Sequence, residues 1–146
     1  MFERFTDADD HAARRLAALE SVAADFAGTD GRYVCVRLPN LPFPAASFEL
    51  VLSGYPLFTY PDHLDVAAHR MALCELVRVC RQVRVFPPID TTVRPSGHLD
   101  DLRPARAADG AQTQLRRMPY HFERGADTML VIDVPARAPG ASALAR

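Results

Sequence analysis

The chain has 146 residues and a mass of 16.1 kDa, a length that predicts one domain, since domains usually run to roughly 100–200 residues. Hydrophobic residues make up 49%, charged residues 24%, and the formal net charge is −1; this argues against a wholly disordered chain and supplies no positive field for nucleic acid. No apolar run approaches the roughly 18–20 residues that cross a bilayer. The opening MFERFTDADD lacks the apolar centre of a secretion signal, and Cys35, Cys74 and Cys80 are an odd set with no disulfide framework. Together these predict a cytoplasmic protein without membrane contact.

In chain order, residues 10–27 carry Leu16, Leu19, Val22, Ala23 and Phe26 at helical spacing, closed by Gly28. Residues 32–38, RYVCVRL, read as a short strand rich in β-branched and aromatic side chains. Three prolines (Pro39, Pro42, Pro44) then forbid both helix and central strand. Residues 48–53, FELVLS, read as a strand whose nearly continuous apolar run predicts burial on both faces of a parallel sheet. Asp62 is placed to cap an amphipathic helix over residues 63–80, with a stripe of Val66, Arg70, Leu73, Val77 and Cys80 and with Ala72 and Leu76 beside it. Residues 82–86 predict another strand, stopped by Pro87 and Pro88. Ser96 is placed to cap a helix over residues 97–108, and residues 113–122 and 128–134 predict a closing hairpin. Residues 136–146, rich in Ala, Pro and Gly, predict a disordered tail behind a single domain spanning residues 1–135. Strands alternating with helices predict an α/β layered sheet, mostly parallel, with the hairpin adding an antiparallel strand.

The segment LPFPAASFELVLS, Leu41 to Ser53, resembles the LPFPDxSFDLVLS stretch of class I S-adenosylmethionine-dependent methyltransferases, where it covers the loop after the third strand and the whole fourth strand. Residues 64–80 resemble the family's next helix, which ends in E-x-x-R-V, residues 82–86 its fifth strand, and residues 118–134 its sixth and seventh strands. The resemblance covers roughly residues 20–135 and implies the C-terminal two-thirds of a Rossmann-like sheet of strand order 3-2-1-4-5-7-6. The family holds its cofactor with a glycine-rich loop of the type D-x-G-x-G-x-G and an acidic residue that takes the ribose hydroxyls. Glycines let backbone N–H groups approach a ligand closely. The seven glycines here are scattered and no GxG occurs. The resemblance therefore implies a truncated domain without strand one, its loop or strand two. The strands at 32–38 and 48–53 would then lack partners, to be closed against each other or covered by a second chain, for instance a homodimer through the open sheet edge.

By the same resemblance, Arg37 and Leu38 stand at the positions near the cofactor's adenine, with Arg37 in place of an acidic residue. Ser53, Gly54 and Tyr55 stand where the family's cofactor and acceptor meet. Each also has an ordinary explanation: Arg37 as a solvated strand end, Ser53-Gly54-Tyr55 as turn chemistry before Pro56. Tyr55, Phe58 and Tyr60 form an aromatic cluster that suits an acceptor pocket or plain core. His63 and His98, beside expected helix N-termini, are the candidates for a base, or else exposed residues of capping turns. His69, Cys74 and Cys80 lack the three- or four-residue spacing that puts ligands on one helix face, so no metal site is expected. The resemblance implies S-adenosylmethionine as cofactor and methyl transfer to an acceptor that the sequence does not define, a small molecule or otherwise, with weak or no activity for this chain alone. The alternative is a non-catalytic binding or dimerisation module.

Overall fold

The computed structural model describes residues 7–28, 31–102, 110–120 and 126–135. Contacts divide the chain into two compact units, residues 1–36 and residues 37–146.

In the first unit, helix α1 (Ala8–Ala27) starts where the Asp7 carboxylate accepts the Asp10 N–H at 2.8 Å and stops where the Gly28 N–H turns back to the carbonyls of Ala24 and Asp25. Its length agrees with the sequence pattern. Leu16, Leu19, Val22 and Phe26 nevertheless remain 56–64% exposed, so the stripe that marks the helix in the sequence is unburied. Residues 32–36 run on without ladder pairing. The Asp25 carboxylate accepts from Arg32 Nη2 at 2.7 Å and from the Tyr33 hydroxyl, and the Tyr33 ring packs edge-on to Phe26 at 5.1 Å. The strand expected at 32–38 is thus corrected: among the described residues, 32–36 have no neighbouring strand to accept their backbone groups, and residues 37–40 form a turn with an isolated bridge from Arg37 to Asn40.

The second unit is α/β, built on an open mixed sheet of four strands: β1 (Phe48–Gly54), β2 (Cys80–Phe86), β3 (Gln112–Arg117) and β4 (Thr128–Asp133), in the order β1-β2-β4-β3. β1 and β2 are parallel, with Phe48 beside Cys80 and Gly54 beside Phe86. β4 is antiparallel to both β2 and β3. One ladder of three is parallel, so the expected mostly parallel sheet is corrected: with no strand at 32–38, β1 is an edge.

Helix α2 (Val66–Val79) makes the crossover from β1 to β2 and runs into β2 without a loop. It begins at Asp65, whose carboxylate accepts the Ala68 N–H at 2.7 Å, rather than at Asp62. Residues 60–64 form a turn instead, with the Tyr60 carbonyl accepting from the N–H groups of His63 and Leu64. The residues buried along α2 are His69, Ala72, Leu73, Leu76 and Val79; of the expected stripe and its flank, Leu73, Ala72, Leu76 and Cys80 are buried, Val66 and Val77 are half-buried against the core, and Arg70 is exposed. Ala72, Leu73 and Leu76 pack on Val83 and Val85 of β2 and Leu130 and Ile132 of β4, with Leu57, Phe58, Leu99, Leu102 and Ala111 completing one cluster. Val51 meets this cluster from the inner face of β1. The opposite face leaves Phe48, Leu50 and Leu52 exposed, Leu52 by 70%. Burial of β1 on both faces is therefore corrected to burial on one.

A helical turn at residues 98–102 follows Ser96. The rest of the helix expected at 97–108, residues 123–125 of the turn expected at 123–127 and the tail expected at 136–146 lie outside the described residues, as does the end of the strand expected at 113–122, whose ladder stops at Arg117 before Pro119. No helix among the described residues is long and apolar enough to cross a membrane.

Candidate functional site

Parallel β1 and β2 end side by side at Gly54 and Phe86, and the segments leaving them build one rim of the second unit. Open α/β sheets bind ligands at such a rim, outside the carboxyl ends of the strands. Beyond β1 the backbone doubles back. Tyr55 (φ 66°) donates its N–H to the Phe86 carbonyl at 3.3 Å, and the Thr59 hydroxyl donates to the Tyr55 carbonyl at 2.5 Å. Phe58 (φ 77°) is fully buried in a left-handed conformation that costs a non-glycine residue of order 1 kcal/mol.

His69 holds that turn. Its Nε2 accepts the Phe58 N–H at 2.9 Å, and its Nδ1 lies 2.8 Å from the Asp65 carbonyl. A carbonyl only accepts, so Nδ1 carries the proton and both nitrogens of the neutral ring are engaged. The His98 ring stands edge-on to His69 at a centroid distance of 5.1 Å. His98 Nδ1 and the hydroxyl of Ser96 are buried without a hydrogen-bond partner among the described residues. Both ring nitrogens of His69 are thus engaged, whereas His98 Nδ1 is left without a partner among the described residues.

Beyond β2, Pro87, Pro88 and Ile89 are buried, and the Ser96 N–H donates back to the Pro88 carbonyl at 3.2 Å. The Asp90 carboxylate turns the loop by accepting from the N–H and hydroxyl of Thr92, both at 2.7 Å, and the hydroxyl holds its pKa below the ordinary aspartate value. On the return strand side, the Tyr120 ring lies 6.1 Å from Phe86.

The sequence-derived candidates divide between this rim and other places. Ser53, Gly54 and Tyr55 lie on the rim, Ser53 half-buried, Gly54 exposed, and the Tyr55 hydroxyl buried. His98 reaches the turn at 55–60 through His69 and Phe58. His63 does not join them: it is exposed in the turn before α2, with its ring 6.2 Å from Tyr60. It is also three residues short of the helix whose N-terminus made it a candidate. Arg37 is exposed, its carbonyl accepting from the Asn40 N–H at 2.9 Å, while Leu38 is half-buried against the core cluster. His69 and Ser96 carried no rim role in the sequence reading. The signal for His69 lay in its spacing of three before Ala72 and four before Leu73, which sets an imidazole on the buried face of α2.

A second fixed point anchors the LPFP segment. Glu75 on α2 accepts the Leu41 N–H at 2.8 Å and two Arg78 N–H bonds at 2.7 Å, and Arg78 Nη2 donates to the Leu41 carbonyl at 3.2 Å. These bonds, chiefly those from Arg78, hold the Glu75 carboxyl down at about 2. Burial pushes the Cys80 thiol the other way, up. Among the described residues, no group of three or more His, Cys, Asp and Glu is arranged to hold a metal ion.

Over 131 residues the chain is 23% identical to an uncharacterized protein of Methanocaldococcus jannaschii, a match covering 90% of this chain and 57% of that relative. The chain thus spans less than two-thirds of the length of the relative it matches. No protein-family profile and no solved structure matches it.

Proposed function

We propose that this chain carries the acceptor side of a methyltransferase-type α/β sheet, equivalent to the second half of a class I S-adenosylmethionine-dependent methyltransferase. The observation that carries this is the strand order. β1-β2-β4-β3, with β1 and β2 parallel and β4 inserted antiparallel between β2 and β3, corresponds to the 4-5-7-6 part of that family's sheet. Two further features support it. The LPFP…SFELVLS run occupies the loop and strand it would occupy there, and α2 follows as the crossover. The rim at Ser53, Gly54 and Tyr55 stands where donor and acceptor would meet, with His98 available as a base toward an acceptor O–H or N–H. The acceptor is unassigned, small molecule or otherwise; the near-neutral charge argues against nucleic acid. A cytoplasmic location accords with this reading, and no disulfide occurs among the described residues.

The residues of this chain do not fit S-adenosylmethionine as a complete site. Arg37 would put a guanidinium where the family places an acidic residue, no GxG supplies a backbone cradle, and no strand of the described residues pairs with the flank of β1 that would adjoin such a cradle. Alone, the chain is therefore expected to bind the cofactor weakly or not at all. Calorimetry with S-adenosylhomocysteine tests this. No saturable heat is expected from the chain up to about 0.1 mM ligand, and binding near the micromolar level (about −8 kcal/mol) from the chain extended by a strand–GxGxG–helix–strand module. Absence of binding by the extended chain would refute the methyltransferase reading. A second reading, a non-catalytic binding or dimerisation module, is favoured by one observation: among the described residues, one flank of β1 has no strand paired to it.

A further inference from the structure

We propose that the open edge of β1 is filled by the β1 edge of a second copy of this chain, the two strands running antiparallel about a two-fold axis at Val51. The inference uses the edge chemistry of the sheet and rests on the second reading above, a dimerisation module, since a glycine-loop module would take up the same flank of β1.

The sheet has two edges, and they are protected unequally. β3 presents Arg116 and Arg117 along its exposed edge, and Arg117 pairs with Asp127 at 3.1 Å. Charged side chains of this kind discourage strand addition. β1 is seven residues long, carries no Pro or Lys, and has Glu49 as its one charge, already 3.2 Å from Arg81 of its own sheet. Leu50 and Leu52 are exposed on the face that α2 does not cover. A long apolar edge of this type is a template for another strand. At a net charge of −1, two copies do not repel each other appreciably.

Self-complementarity selects the register. A two-fold axis normal to the sheet keeps each side chain on its own face, and directly opposed residues share a face. Odd positions can therefore oppose only odd positions, and even only even. Centring on Glu49 would set two like charges opposite each other, which is destabilising. Centring on Val51 pairs the whole of Phe48–Gly54. Leu50 then opposes the partner's Leu52, Glu49 opposes the partner's Ser53, and Phe48 opposes the partner's Gly54, where a ring can cover the missing side chain. The product is an eight-stranded sheet with both outer edges formed by arginine-bearing β3.

The test is light scattering after gel filtration, followed by paired charge variants. The chain is expected to elute with twice its 16.1 kDa mass. Leu50→Lys/Leu52→Lys should be monomeric, with dimer affinity reduced at least about tenfold, because lysine opposes lysine across the seam. Leu50→Glu/Leu52→Glu should be monomeric likewise. Mixing the two should restore a heterodimer, which shows that each variant folds and that the seam is the site. In a Cys35→Ser/Cys74→Ser background, a mixture of Leu50→Cys and Leu52→Cys chains should form an intermolecular disulfide, and Leu52→Cys alone should not, its nearest counterpart lying beyond the roughly 7 Å that a disulfide spans. A monomeric parent chain, which would leave the edge to a different polypeptide, overturns the proposal. So does a dimer that survives the lysine variant, a mixture that fails to restore pairing, or open-ended association.

Discussion

Glu75 offers the sharpest test of how the LPFP segment is held to the sheet. Its carboxylate grips Arg78 on α2 and the backbone of Leu41, so its ionisation is coupled to that contact. The carboxyl lies at about 2 in the folded chain against 4.5 for an unperturbed glutamate. Because the folded value is the lower one, the contact contributes fully above about pH 4.5 and is lost as pH falls toward 2. At about 1.4 kcal/mol per pH unit, that gap corresponds to at most about 3 kcal/mol. Arg78 is 36% exposed, so water and salt screen part of it, leaving about 1–2 kcal/mol. Urea unfolding followed by circular dichroism, for the parent chain and Glu75→Gln, reads this directly. The parent should lose about 1–2 kcal/mol more than the variant between pH 5 and pH 2, and the two should differ most at neutral pH. Parallel pH profiles for the two proteins would refute the clamp.

Other consequences follow from the same geometry. His69→Ala leaves the buried Phe58 N–H without an acceptor and removes a packed ring; a loss of about 3 kcal/mol, roughly 10 °C in thermal midpoint, is expected, with His69→Gln recovering part of it. A loss below about 1 kcal/mol would show that the turn at 55–60 does not depend on the imidazole. Leu73→Ala, at a fully buried site between α2 and the sheet, should cost about 2–5 kcal/mol in the same melts. Asp65→Ala should cost about 1 kcal/mol by removing the cap of α2, whereas Asp62→Ala should be near neutral, since Asp65 and not Asp62 begins the helix. Equal losses for the two would place the helix start elsewhere.

Much of this fold was legible because its signals are local. The helical spacing in residues 10–27, the apolar run at Phe48–Gly54 and the proline stops after Phe86 need no tertiary information. What failed depended on neighbours. RYVCVRL has strand composition, but a strand exists only where another accepts its backbone groups, and none does. β1 has the composition of a strand buried on both faces, but lies at an edge with one face bare. Asp62 and Asp65 are equally good caps in sequence. The choice fell to the turn that Tyr60 closes, which delays the start of α2 to Val66.

The site was legible only in part. Ser53, Gly54 and Tyr55 follow from the end of β1, and His98 from the segment after β2. The link between them runs through His69, whose isolated position in an amphipathic helix gives no hint that it accepts from Phe58, eleven residues away. Arg37 stands as a candidate only by its alignment with the family's third strand end and His63 only by an expected helix start, and the structure has no strand at the first and a later start at the second.

Whether this rim belongs to half of a cofactor site is decided most directly by amide chemical shifts of Ser53, Gly54 and Tyr55 during titration with S-adenosylhomocysteine. In the chain itself these amides should stay unmoved, and in the chain extended by a strand and glycine loop they should shift saturably. Saturable micromolar shifts in the chain alone, or none in the extended one, would contradict the assignment.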